Sequence, residues 1–197
     1  MEVEKYYHIY NCANGNENLF KEEENFRYFL QQWEKYISPI ADTYAYCLMP
    51  NHIHFLIQIK GEEEILNLGG FQNLQGLERT SKIISKKFSN LFNSYTKAFN
   101  KRYERRGSLF SPNFKRKEIT SKNYLKTLVC YIHRNPVHHG FCAELDEWKF
   151  SSYHAYLSNS SSKINRSYIL NQFEDKNNFM ATHLQAIEHL EKDYFID

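Results

Sequence analysis

A chain of 197 residues that is 42% hydrophobic is long and apolar enough for one domain with a real core and room for an appendage. It shows neither a membrane-length apolar run nor a signal peptide, which argues against a membrane-spanning protein. The net charge of +2 hides a segregation: Arg79 to Lys117 holds twelve Lys/Arg against one acid, Glu104, while the remainder holds thirteen against twenty-two. Charge separated this way points to a polyanion, nucleic acid, as partner. Cys12, Cys47, Cys130 and Cys142 lack Cys-x-x-Cys spacing, so free thiols in a reducing cytoplasm, near the nucleoid, are expected.

Lys5 to Asn11 reads as a first strand and Asn14-Gly15-Asn16 as a turn. Glu22 to Ile37 places Phe26, Phe29, Leu30, Trp33 and Ile37 at helical spacing behind an acidic start, which predicts an amphipathic helix. Thr43 to Leu48 forms a second strand, broken by Pro50-Asn51. His52 to Lys60 forms a third, close enough for a hairpin but without a standard two-residue turn. Gly61 to Leu77, acidic and then Gly/Gln/Asn-rich, reads as a loop. Thr80 or Ser81 caps a long helix to about Arg105, with Ile84, Phe88, Leu91, Phe92, Tyr95 and Phe99 as its apolar stripe and Gly107 as its end. Leu109 to Glu118 is a fourth strand, with Pro112 at an edge or bulge. Thr120 or Ser121 caps a helix of about 14 residues that stops near Asn135-Pro136. Past Gly140, the run Trp148 to Tyr153, a Ser-rich stretch at Ser158–Ser162 and two short helical segments form an accessory layer. The order predicts an α+β fold: a ferredoxin-like (RRM-like) βαββαβ sheet with an added C-terminal tyrosine-bearing helix and a short helical tail.

Period-two geometry places His52, His54, Leu56 and Gln58 on one face of the third strand, and Ile53, Phe55, Ile57 and Ile59 on the other. The apolar face anchors the strand while the imidazoles point away. Two neutral imidazoles make a divalent-metal site with open positions for a phosphate oxygen and water. On the tyrosine helix, Tyr124, Leu128, Tyr131 and Asn135 share one face, and Leu125, Val129 and Ile132 the face expected to pack in the core. Tyr131 and Asn135 are one turn apart and emerge together, so the Asn135 amide oxygen is a candidate third ligand beside the tyrosine. With 15 tyrosines in the chain, Tyr131 gains meaning only from this pairing. A phenol of pKa about 10 becomes a nucleophile when cations stabilise the phenolate or a base takes its proton. Attack on a DNA phosphate would give a 5′-phosphotyrosine and a free 3′-hydroxyl.

Four runs extend these residues. They are Tyr46-Cys47-Leu48-Met49-Pro50-Asn51-His52-Ile53-His54; Arg106-Gly107-Ser108-Leu109-Phe110 with Phe114-Lys115; Tyr131-Ile132-His133-Arg134-Asn135-Pro136-Val137-His138-His139-Gly140; and Trp148-Lys149-Phe150-Ser151-Ser152-Tyr153. In this order they resemble the motifs of the small single-tyrosine HUH transposases, which include insertion-sequence transposases and REP-associated tyrosine transposases. The resemblance covers roughly residues 1–155 and is far more specific than any one block. It implies a catalytic domain over residues 1–145, with an accessory extension, 146–197, packed on it. It implies cleavage and rejoining of single-stranded DNA at hairpin or palindromic elements, with Mg²⁺ or Mn²⁺. By position His52 and His54 match the family's metal ligands, Tyr131 its nucleophile and Asn135 its extra polar ligand. Single-stranded or hairpin DNA is the expected partner. A homodimer is one expected assembly, with the tyrosine helix meeting its own histidines or those of a second copy. One departure is Phe110-Ser111-Pro112-Asn113-Phe114, which lacks the basic residue that many relatives carry between the two phenylalanines.

Candidate DNA contacts are Lys82, Lys86, Lys97, Lys101, Arg102, Arg105 and Arg106 on the long helix and its end, then Lys115, Arg116 and Lys117. Tyr95, Tyr103, Phe110 and Phe114 offer rings for unpaired bases, although several of them are expected in the core. Two other readings stay open: a ferredoxin-like nucleic-acid binder without cleavage, and a structural zinc protein using His8, Cys12, Cys47 or Cys130.

Overall fold

Alternation along β3 (His52–Ile59) sorts the molecule into two cores. In the computed structural model, which describes residues 1–69 and 75–185, Ile53, Phe55, Ile57 and Ile59 enter one core and Leu56 the other. β3 pairs antiparallel with β1 (Tyr6–Cys12) and with β2 (Ala41–Met49), and β4 (Lys115–Ile119) pairs antiparallel with β1. The sheet order is β2-β3-β1-β4. Each strand–helix–strand unit therefore encloses a third strand, the interleaving that the element order predicts.

α1 (Glu23–Tyr36) and α3 (Gly76–Arg102) cover the face of Ile53 and Phe55. Trp33 stacks on Phe55 at 3.5 Å between centroids and donates its indole N–H to Thr43 Oγ1 at 3.0 Å. Truncating such a buried aromatic costs about 3–5 kcal/mol, so this pair ties α1 to the central strand. α4 (Lys122–His138) covers the opposite face, with both of its expected faces buried.

The β2–β3 turn agrees with the sequence reading, and several later elements depart from it. The β2–β3 hairpin is a two-residue loop, Pro50-Asn51. Proline's φ near −65° rules out the primed turns that hairpins favour. The loop is held from outside instead: Ala13 N–H donates to Asn51 O at 2.7 Å and Phe20 N–H to Pro50 O at 3.1 Å. Within the expected loop 61–77, α2 (Glu62–Leu66) forms and buries Ile65, and α3 already begins at Gly76; residues 70–74 lie outside the described residues. Thr80 does not cap α3, because its hydroxyl donates back to Leu77 O at 3.0 Å. β4 keeps only the second half of its expected strand. Phe110 makes an isolated bridge to Ala13, and Asn113 at φ +59 turns the chain before pairing begins at Lys115.

Ser121 caps α4, its Oγ accepting the Tyr124 N–H at 3.2 Å. The helix does not stop at Pro136. That residue forfeits only the N–H that would reach Ile132 O. The last turn then closes through Gly140 N–H to Val137 O at 3.0 Å and Phe141 N–H to Pro136 O at 2.9 Å. This pattern needs a left-handed residue after the cap, and Gly140 supplies it at φ +70.

The tail holds three short helices rather than two: α5 (Tyr153–Leu157), α6 (Arg166–Gln172) and α7 (Lys176–Leu184). Ahead of them, residues 150–152 run along the outer edge of β2. Leu48 N–H donates to Phe150 O at 3.0 Å, Ser152 N–H to Tyr46 O at 2.9 Å, and the Trp148 indole to Leu48 O at 2.9 Å. Among the described residues, no helix is long and apolar enough to cross a membrane. All four cysteines are free thiols.

A buried relay fastens α7 to α4 and β2. His183 Nδ1–H donates to Phe179 O at 2.7 Å, which leaves His183 Nε2 to accept His133 Nδ1–H at 2.8 Å. His133 Nε2 then accepts from Ser152 Oγ at 2.7 Å, and Ser152 Oγ accepts the Tyr46 N–H at 2.8 Å. The relay needs both rings neutral. Burial holds them so, pushing His183 down to about 4 and His133 well below its ordinary value. Unfolded, each ring takes a proton near pH 6.5. The unfolded state therefore binds more protons below that pH, and stability falls as pH drops from about 6.5 toward 4, by about 1.4 kcal/mol per pH unit for each ring. Urea midpoints should be flat above pH 7 and clearly lower at pH 5.5. Equal midpoints at pH 7.5 and 5.5 would show that the rings are not held neutral.

Candidate active site

The Pro50-Asn51 loop delivers the chain into β3 with His52 as its first residue. Its pairing sets His52 opposite Cys12 and Met49, and His54 opposite Tyr10 and Cys47. Residues opposite one another share a face, so His8, two positions along β1 from Tyr10, joins them. α4 lies over this face and presents Tyr131 and Asn135 from successive turns. The Tyr131 ring meets His54 edge-on at 5.4 Å and His8 at 6.2 Å between centroids. The histidines point away from the Ile53 and Phe55 core, as the strand pattern predicts, but they are not open to solvent. His54 is fully buried and His52 is 5% exposed, because α4 covers them.

Each imidazole has one nitrogen occupied and one aimed inward. His52 Nδ1 lies 2.7 Å from Asn51 Oδ1, and its Nε2 lies 3.2 Å from Asn135 Oδ1. Asn135 Nδ2 donates to Tyr131 O at 3.5 Å, which turns its oxygen toward His52. A neutral imidazole carries one N–H and cannot donate to both oxygens. Burial pushes His52 down to about 4, so at neutral pH one of these contacts sets lone pair against lone pair. His54 Nδ1 lies 2.9 Å from His8 Nε2, while His54 Nε2 is buried with no hydrogen-bond partner. Burial and the neighbouring His8, His52 and His139 hold His54 well below its usual value, and burial pushes His8 down to about 3.

His52 Nε2, His54 Nε2 and Asn135 Oδ1 thus lie on one buried face, and all three are acceptors when each ring carries its proton on Nδ1. In that tautomer the set could hold a divalent cation, and nitrogen with amide oxygen is a donor set that Mg²⁺ tolerates and Mn²⁺ accepts. Among the described residues no three His, Cys, Asp or Glu side chains gather as a metal cage. The third donor of this candidate set is therefore the Asn135 amide.

The sequence reading assigned neither His8 nor His139 to this site. His139 caps α4, with its ring 4.9 Å from that of His52. Its place in the motif run is visible, but its position follows from the helix continuing through Pro136. Strand alternation put His8 on a face with Tyr6 and Tyr10, but only the register with β3 shows which face.

The basic residues do not form one patch. Lys82, Lys86, Lys97 and Lys101 are exposed and share a stripe of α3. Arg102 is held by Glu22 at 2.5 Å and Glu24 at 3.8 Å, and Arg105 by Glu17 at 3.5 Å, while Arg106 is exposed. β4 splits its three charges by alternation. Lys115 and Lys117 pair with Tyr10 and His8 and face the tyrosine site; Arg116 pairs with Ile9 and faces α3. Arg116 there lines a groove of about 250 Å³ with Asn11, Ser89, Asn93 and Phe114. Of the four candidate stacking rings, Tyr95 and Phe110 are buried core, as the sequence reading expected for several of them.

A protein of Haemophilus influenzae, provisionally named a REP-associated tyrosine transposase, is 25% identical over 115 residues, which span 57% of this chain and 59% of that protein. The fold is similar to that in the structure of a REP-associated tyrosine transposase bound to a REP hairpin, with a TM-score of 0.54 and 16% identity over 80% of this chain and 82% of that one. The pattern of the family described as "Transposase IS200 like" matches residues 3–135, from the first strand to Asn135, and the chain belongs to that family.

Proposed function

We propose that this protein is a divalent-metal-dependent transposase that cleaves and rejoins single-stranded DNA at hairpin-bearing elements, with Tyr131 as nucleophile. The observation that carries the reading is that His52 Nε2, Asn135 Oδ1 and the buried, unpartnered His54 Nε2 share the face that α4 closes with Tyr131. These residues would hold Mg²⁺ or Mn²⁺, which when bound polarises a non-bridging phosphate oxygen and offsets its developing charge. Hairpin DNA as substrate is supported by the REP hairpin in the structural relative.

Tyr131 Oη attacks the phosphorus and gives up its proton to solvent, and the bond from phosphorus to the 3′-oxygen breaks. The 3′-oxygen takes a proton and leaves as a hydroxyl, and the 5′-phosphate stays on the tyrosine. One phosphoester bond forms as one breaks, so the strand is rejoined by the reverse attack without ATP. Lys115 and Lys117, on the same side of the sheet, contribute positive charge to steer the phosphate backbone. In this reading residues 1–145 carry the chemistry, and the extension from 146 braces α4 and β2.

Incubation with a suicide hairpin oligonucleotide and Mn²⁺ should give a covalent protein–DNA adduct. Tyr131→Phe and EDTA should each abolish it. An adduct that survives Tyr131→Phe would remove the assignment, and hairpin binding that ignores EDTA and yields no adduct would favour a non-catalytic binder.

Tyr131 faces His54 of its own chain, which supports assembly of each site within one polypeptide. Mixing His54→Ala with Tyr131→Phe should then restore no adduct; recovered activity would mean that two chains share a site.

If Lys115 and Lys117 each meet a phosphate, replacing both with Ala should flatten the slope of log affinity against log salt by about 1.4. An unchanged slope would place the backbone elsewhere.

A further inference from the structure

We infer that His8 is a positioning residue for the metal site: as hydrogen-bond acceptor for His54 Nδ1–H, it fixes the tautomer that leaves His54 Nε2 free to ligate. This rests on the metal reading of His52, His54 and Asn135. Two neutral rings joined by one hydrogen bond share a single proton across it, and the two placements have opposite consequences. If His8 Nε2 donates, His54 carries its own proton on Nε2. That N–H would be buried with no acceptor, since His54 Nε2 has no partner, and the ring would have no lone pair for a cation. If His54 Nδ1 donates across the 2.9 Å contact, its Nε2 lone pair points into the acceptor cluster. The second arrangement alone yields a ligand.

The fold holds His8 to this task. It sits in the middle of β1 opposite Leu56, diagonal to His54, and is 1% exposed. Its ring stacks against that of His54 at 5.1 Å and lies near Tyr10 at 4.7 Å. Metal-bound histidines commonly give their second N–H to a carboxylate or a carbonyl. Here a neutral ring takes that place, which orients His54 without adding a negative charge where a phosphate is to bind. His52 has its counterpart in Asn51, whose Oδ1 lies 2.7 Å from His52 Nδ1, so each of the two ligands has its rear nitrogen engaged by a side chain of the same sheet or its hairpin loop.

The test measures Mn²⁺ affinity of the full chain without DNA, by calorimetry or by the free-Mn²⁺ resonance signal, in a Tyr131→Phe background that forms no adduct. His8→Phe keeps the ring volume and removes the acceptor, and it should weaken Mn²⁺ binding by about 10–100-fold. His8→Gln supplies an amide oxygen and should recover most of that loss. Unchanged affinity in His8→Phe, with affinity lost in His54→Ala, would overturn the role of His8. Unchanged affinity in both would overturn the metal reading beneath it. A measurement on the unsubstituted chain guards against a variant that fails to fold. Long-range ¹⁵N–¹H spectra of the histidine rings should place the His54 proton on Nδ1, and a proton found on Nε2 would overturn the inference.

Discussion

Burying two imidazoles beneath a helix removes them from water, and much of the site answers that removal. A buried polar atom without a partner costs about 1–3 kcal/mol, so evolution rarely leaves one in place without a use. His52 and His54 have their rear nitrogens engaged by Asn51 and His8, and their front nitrogens turned toward Asn135 and Tyr131. The same burial that makes the site expensive when empty of charge keeps the rings neutral across the physiological range. Neutral rings are what a cation requires. The strand alternation, the Pro50-Asn51 loop and the docking of α4 serve one arrangement, in which both rings turn an Nε2 toward the face that α4 covers.

α4 serves both the site and the tail. It carries Tyr131 and Asn135 on the side that meets β3, and His133 on the side that meets the tail. The relay from Phe179 O through His183 and His133 to Ser152 is a chain of donors all running one way, with every polar atom in use. A helix gripped on both sides holds its tyrosine more firmly than one packed on a single side, and phosphoryl transfer rewards such positioning.

What could be read in the sequence was local. The alternation of His52 to Ile59 repeats every two residues and survived intact, as did the stripe of α3 and the Ser121 cap. Features set by distant partners were invisible. Arg102 and Arg105 look like free cations until Glu22, Glu24 and Glu17, some eighty residues upstream, are folded against them. Lys115, Arg116 and Lys117 look like one basic run, and strand geometry sends the middle charge to the opposite face. Pro136 looks like a helix stop, and its cost was outweighed by the closed turn around Gly140. His8 looked like any strand histidine, because register is a property of two strands and a single strand cannot disclose it.

The run from Phe150 to Ser152 along β2 bears on how the sheet meets other molecules. An exposed strand edge invites another strand, and proteins blunt such edges with covering segments or with charge. This sheet uses one device at each end: its own tail lies along β2, and β4 carries Lys115, Arg116 and Lys117 in succession. Three consecutive cations repel a second copy of the same strand. They present no such barrier to a chain of phosphates. The two rims are therefore unlike in kind, one sealed by the protein's own backbone and the other barred to its own likeness but hospitable to a polyanion.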